Sequence, residues 1–167
     1  MARPSLPPLP PLHVIVDPAL CQERSLAPAD LAARAVAGGR AVAVHLRAPG
    51  LTAAVLWRLA VDLRVVIAPP ALLIINDRVD VAVAAEADGV QLGGHGLPVA
   101  TARRVVGPRL LLGRSVHSVA EARAAEREGA GYALLGTMYP TASHPGAAVA
   151  ALAARARAHA GRGESRS

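Results

Sequence analysis

Short apolar runs alternate along this chain with helix-length amphipathic segments, and that alternation is the feature that most limits its fold. Strands buried on both faces read as continuous Val/Ile/Leu runs, and a crossover helix must separate each one from its parallel neighbour. The runs Leu12–Val16, Ala41–Leu46, Ala71–Ile75, Gly89–Leu92, Leu110–Leu112 and Tyr132–Leu135 fit this pattern. Helices are expected between them: from Pro28 to a stop at Gly38-Gly39, from a Thr52 cap to Leu63, from Val79 to Glu86, from about Pro98, and from a Ser118 cap with Glu121 in capping-box position. A last Ala-rich helix is expected over Ala147–Ala160. The fold class is α/β, with about six βα units of parallel sheet.

The core must be made of small branched side chains, because the 53% hydrophobic content includes no Phe, one Trp and two Tyr. Every basic residue is Arg, and the formal charge is +6. The arginines are scattered and the aromatic platforms that stack on single strands are nearly absent, which argues against a nucleic-acid partner. The uncharged apolar stretch Val65–Asn76 is too short for a membrane span and carries Pro69 and Pro70. Cys21 stands alone, so no intrachain disulfide forms. The Pro-rich start, residues 1–11, reads as a flexible lead-in rather than a secretory signal. Residues 161–167 read as a polar tail, and the expected location is cytoplasmic.

The polar residues that remain gather just after the strands: Asp17, His45, Arg47, Asn76, Asp77, Gln91, Ser115, His117, Thr141 and His144. In a parallel α/β sheet or barrel that edge is where ligands bind. His117 follows Gly113-Arg114-Ser115-Val116, and histidine is the side chain most readily tuned for proton exchange near neutral pH; an exposed loop residue beside a helix cap is the plainer reading. His45 and Arg47 share a strand face, and the guanidinium fork suits phosphate or carboxylate. Asn76-Asp77-Arg78 suits an anionic or metal-bridged ligand, or equally a helix start followed by a surface ion pair. The hydroxyl-rich segment from Gly136 to Pro145, with Thr141 and Ser143, reads as a lid or as a connector. Gly93, Gly94 and Gly96 do not stand at dinucleotide-binding spacing.

Five motifs in order carry a resemblance to the thiamine phosphate synthase/TenI superfamily: H-L-R at 45–47, L-I-I-N-D-R-V-D at 73–80, A-D-G-V-Q-L-G at 87–93, G-R-S-V-H-S at 113–118 and G-x-x-Y-P-T at 136–141. The resemblance implies a (β/α)8 TIM-barrel-type fold over residues 12–160. Only about six units are legible, so the barrel is expected to be incomplete and the chain truncated. Open strand edges would then call for a homo-oligomer or a complementing chain.

The resemblance also implies chemistry. In the tautomerase branch, a proton moves on a thiazole carboxylate phosphate, with His117 as acid/base, no cofactor, and Arg47, Asn76 and Ser115 shaping the pocket. In the synthase branch, Mg²⁺ assists the joining of an aminopyrimidine diphosphate to a thiazole phosphate, with Asp77 at the metal. The substrate-binding set implied across both is His45, Arg47, Asn76, Gln91, Ser115, Thr141 and Ser143. Departures from the synthase pattern fall at His45, Pro49, Gly96 and His144, which tilt the expectation towards the tautomerase. A ligand-binding or degenerate remnant without turnover is the third expectation.

Overall fold

The computed structural model describes residues 6–136. The strands are β1 (Leu12–Val16), β2 (Val42–Leu46), β3 (Leu72–Asn76), β4 (Gly89–Leu92), β5 (Leu111–Val116) and β6 (Tyr132–Leu135). The helices are α1 (Pro18–Glu23), α2 (Pro28–Val36), α3 (Ala53–Val66), α4 (Val79–Ala84), α5 (Val99–Val106) and α6 (Val119–Arg127). All six strands pair in parallel, in the order of the chain. Such an order, with a helix in every connection, builds a barrel wall one unit at a time.

Local chemistry explains the element ends. Asp17 accepts from the amide of Ala19 at 3.0 Å, and Pro18 follows at the first helical position, so α1 starts at once after β1. This short helix was not among those expected from the sequence; its six residues are too few to show a period. Thr52 caps α3 through the amide of Val55, and Ser118 caps α6 through the amide of Glu121 at 3.1 Å. Strand β5 runs through Val116, past the expected end at Leu112. Gly113–Val116 are therefore ladder residues, since each pairs with the run Tyr132–Leu135.

Period-two alternation divides the strands between two cores. Val42, Val44, Leu46, Leu73, Ile75, Val90, Leu92 and Leu112 point outwards and pack under the helices with Leu56, Leu63 and Ala102. Ala43, Leu72, Ile74 and Leu111 form a second cluster on the opposite, inner face, joined by Leu6 and Tyr132. The sheet curls so far that its edge strands meet through side chains: the rings of His13 on β1 and Tyr132 on β6 stand 5.8 Å apart, edge to face. Gly113 makes this possible. A Cβ there would lie 2.2 Å from both Tyr132 Cζ and Gln91 Oε1, so only glycine admits the two side chains over β5.

Two part-buried cross-links tie the layers. Asp88 accepts from Arg64 on α3 at 2.6 Å and from the amide of Leu73 on β3 at 2.8 Å. Arg103 on α5 donates to the carbonyls of Gly107, Leu110 and Gly129 and so clamps the α5–β5 and α6–β6 connections.

Candidate functional site

The inner face changes character from one end of the strands to the other. Its amino-terminal layer is the apolar cluster just described. The same face also carries His13, His45, Asn76, Gln91, Ser115 and Tyr132, one from each strand. His45 and Gln91 are each 2% exposed. Gln91 donates to the Ser115 hydroxyl at 3.0 Å, so the two are held together across β4 and β5. His13 Nδ1 and His45 Nε2 are 2.9 Å apart. Burial drives the His45 pKa down to about 4; the neighbouring His13 adds to this, and the Asn76 side chain pulls the other way. His45 is thus a neutral ring at physiological pH. Burial likewise keeps the Tyr132 phenol protonated, its pKa being raised. Three buried polar atoms in this layer have no hydrogen-bond partner among the described residues: Asn76 Oδ1, Gln91 Oε1 and the Tyr132 hydroxyl. Buried groups normally find partners, so this layer has hydrogen-bonding capacity to spare.

At the carboxyl rim, Asp77 takes a left-handed conformation, φ 62°, a region a short carboxamide or carboxylate side chain tolerates better than most. This turn sends its carboxylate to the loop after β4, where Oδ1 accepts from the Gly93 amide at 2.7 Å. A Cβ on Gly96 would stand 2.7 Å from the same oxygen. The glycines of this loop therefore serve a close approach to Asp77, a role their spacing did not disclose. Arg47 reaches back to Asp17 at 3.1 Å, Arg47 being half-exposed and Asp17 nearly buried. A cleft of about 230 Å³ opens between these groups, lined by Arg47, Pro49, Asn76, Asp77 and Arg78. Arg78 itself forms a two-pronged pair with Asp80, the surface ion pair that was one of the two equal expectations for it.

His117 stands apart from the inner layer. Its side chain is about half exposed, and Nδ1 is 3.4 Å from Glu121 Oε2. The same carboxylate accepts from the His117 amide at 2.8 Å, completing the helix cap one residue before Ser118. His117 borders a cleft of about 510 Å³, together with Gly94, Gly96, Ser115 and Glu121. Arg114 points to the helix side of β5 and reaches the carbonyls of Leu97 and Gly94. The expected residues fall into two groups: His45, Asn76, Gln91 and Ser115 share the inner layer, while Arg47, Asp77 and His117 lie on the rim. Thr141, Ser143 and His144 lie outside the described residues. Sequence reasoning missed His13 and Tyr132, although alternation along β1 and β6 puts both on the inner face.

No cluster of three or more His, Cys, Asp or Glu side chains suited to a metal occurs among the described residues. Asp77 nevertheless keeps Oδ2 without a hydrogen-bond partner among the described residues, and it is an exposed rim carboxylate. Mg²⁺ is commonly held by one or two carboxylates together with substrate phosphates, rather than by an all-protein cage. The donor set fits Mg²⁺ carried in on a phosphorylated ligand.

A curled parallel sheet with a polar rim at its carboxyl edge defines a protein of the TIM-barrel type. Within that class the chain belongs to the thiamine monophosphate synthase family, whose model matches residues 12–161. The thiamine-phosphate synthase of Methanoculleus marisnigri is 44% identical over 146 residues, covering 84% of this chain and 68% of that protein. That of Chlorobium luteolum is 45% identical over 129 residues, covering 75% and 60%. Among solved structures, the thiamine phosphate pyrophosphorylase from Pyrococcus furiosus superposes with a TM-score of 0.69 at 34% identity, covering 81% of this chain and 64% of that one. The chain thus spans about two thirds of the length of these relatives. Their names stand with the synthase expectation rather than with the tautomerase one.

Proposed function

We propose that this chain acts in thiamine biosynthesis by the synthase reaction, joining an aminopyrimidine diphosphate to a thiazole phosphate with release of diphosphate. The observation that carries this reading is the Asn76-Asp77 turn at the end of β3. There one carboxylate oxygen is fixed by the Gly93 amide and the other is left for a ligand-borne cation. Asp77 is the residue that would hold Mg²⁺. When bound, the ion supplies neutralisation of charge on the departing diphosphate.

This chain's own residues do the rest. Arg47, steadied by Asp17, offers a fork to phosphate oxygens at the rim. Asn76, Gln91 and the Tyr132 hydroxyl offer unmatched hydrogen-bonding atoms to a heteroaromatic ring in the inner layer. Ser115, held by Gln91, faces the same space. The test is Mg²⁺-dependent diphosphate release from the two substrate halves. Absence of release at high protein concentration would end the proposal and favour a binding remnant without turnover.

One observation supports the tautomerase as a second reading. Glu121 stands against Nδ1 of His117, an arrangement that leaves Nε2 free for proton transfer. Aromatisation of a thiazole carboxylate phosphate by the parent, lost in His117→Ala, would establish it. Equal activity in the two would remove it.

A further inference from the structure

Asp17 stands among the polar strand ends, and it holds two partners at once. Its Oδ1 accepts from the Ala19 amide at 3.0 Å and so starts α1, while Oδ2 accepts from Arg47 Nη1 at 3.1 Å. Asp17 is only 9% exposed, so these two donors, more than bulk water, answer its charge. Arg47 is tied to the same spot through its backbone, since its amide donates to the carbonyl of Val16 at 3.0 Å. A guanidinium carries five N–H donors in a rigid plane, and Nε and Nη2 share the edge that Asp17 does not touch. That edge has no partner among the described residues. Arg47 also lines the cleft of about 230 Å³ with Asn76, Asp77 and Arg78. The other cation of that cleft, Arg78, is taken by Asp80.

A phosphate entering this cleft can pull Arg47 away from Asp17 or meet it in place. Pulling it away leaves a nearly buried carboxylate with a single donor, which is the costly way to break such a pair. We propose that Asp17 is a positioning residue of the phosphate subsite: it keeps Nη1 of Arg47 while a phosphate binds, and so presents the Nε–Nη2 edge as a ready-made fork. The inference rests on the reading of Arg47 as a phosphate ligand. Asp17 also acts against the ligand, because two anions then face each other across the guanidinium. At ~7 Å in water-like surroundings that repulsion is worth roughly threefold in affinity per pair of unit charges. Salt at about 0.5 M, with a Debye length of about 4–5 Å, damps most of it. Ordering a long, rotamer-rich side chain on binding costs roughly 2- to 12-fold, and that cost is spared where the side chain is already held. At the half-exposed rim, in salt, the holding outweighs the repulsion.

The test is a double-mutant cycle on the affinity for magnesium diphosphate, read by titration calorimetry in about 0.5 M salt. Asp17→Ser keeps a hydroxyl that can cap α1 but is too short to hold Arg47. It should weaken binding by roughly 3- to 10-fold. Arg47→Met should weaken it by at least as much, and Asp17→Ser added to Arg47→Met should cost nothing further. A merely structural role for Asp17 predicts the same loss in both backgrounds, and that result overturns the proposal. So does an Asp17→Ser protein that binds as tightly as the parent or tighter, or a parent that does not bind the probe. If Asp17→Ser does not fold, Asp17→Asn takes its place with the same expectation, because its one side-chain oxygen can serve the Ala19 amide or Arg47 but not both. Diphosphate release in turnover is measured separately. Coupled binding without turnover fails the synthase reading alone, and turnover without coupling fails this inference alone.

Discussion

Replacing Gly113 with alanine tests whether the inner face is filled as described. The added methyl would sit 2.2 Å from Tyr132 Cζ, 2.2 Å from Gln91 Oε1 and 2.5 Å from Tyr132 Cε2. Carbon atoms in contact prefer ~3.5–4 Å, so the tyrosine ring must retreat by more than about 1 Å. It cannot do so freely, because His13 meets it on one side and the Leu6, Ala43 and Leu111 cluster packs against it as well. Overpacking of this kind costs ~1–3 kcal/mol. Displacing Gln91 would also cost its bond to Ser115, worth ~1 kcal/mol. The sum, ~2–4 kcal/mol, corresponds to a fall in melting temperature on the order of 10 °C for a chain of this size. Urea unfolding followed by the fluorescence of Trp57, the single tryptophan, gives the difference directly. Gly94→Ala is the control: a Cβ there meets nothing within 4 Å, and its change should stay within ~0.5 kcal/mol. A Gly113→Ala protein as stable as that control would refute the close approach of β5 and β6 side chains.

Three further outcomes follow from the same packing. His45 stays neutral in the folded chain down to about pH 4, against the ordinary 6.5, so the unfolded chain binds more protons between these values. Its contribution is intact above pH 6.5 and is lost as pH falls towards 4, by up to ~3 kcal/mol; urea titrations across that window should show a drop that His45→Gln flattens. Arg103→Met keeps the aliphatic packing but strips donors from the carbonyls of Gly107, Leu110 and Gly129. It should lose ~1–3 kcal/mol and raise amide exchange in the α6–β6 connection. Asp88→Ala leaves the Leu73 amide without its acceptor and should cost a similar ~1–3 kcal/mol, whereas Arg64→Ala, which removes only the partly exposed partner, should cost less.

The strands were legible because their outward faces must be apolar to meet helices, and Ala43 to Leu46 or Leu72 to Ile75 can hardly be anything else. Where packing contributes less, legibility failed. Helix α1 has one turn and a half, and its signal is only Asp17-Pro18. The end of β5 was masked because Gly113 and Ser115 look like turn residues, yet both are placed by what β6 and Gln91 need above them. In the site, residues on the rim were legible by their chemistry, since Arg47 and Asp77 carry it openly. His13 was not, because a lone histidine in an apolar strand has no partner in the sequence. Its meaning comes from a second histidine 32 positions away. Likewise, the glycines at 93 and 96 carry no message until the Asp77 carboxylate is seen lying against them.

The contact between His13 and Tyr132 joins the first and last strands through ring edges, whereas every other neighbouring pair of described strands is joined by a ladder of amide bonds. Rotating a ring needs no backbone bond to break, so among the described residues this contact is more compliant than the ladders. The spacing there is then set by two side-chain rotations. A ligand that inserts between the rings would meet a latch, while one approaching over β3 or β4 would meet a fixed surface. Among the described residues, adjustment to ligand shape should consequently be concentrated at those two rings.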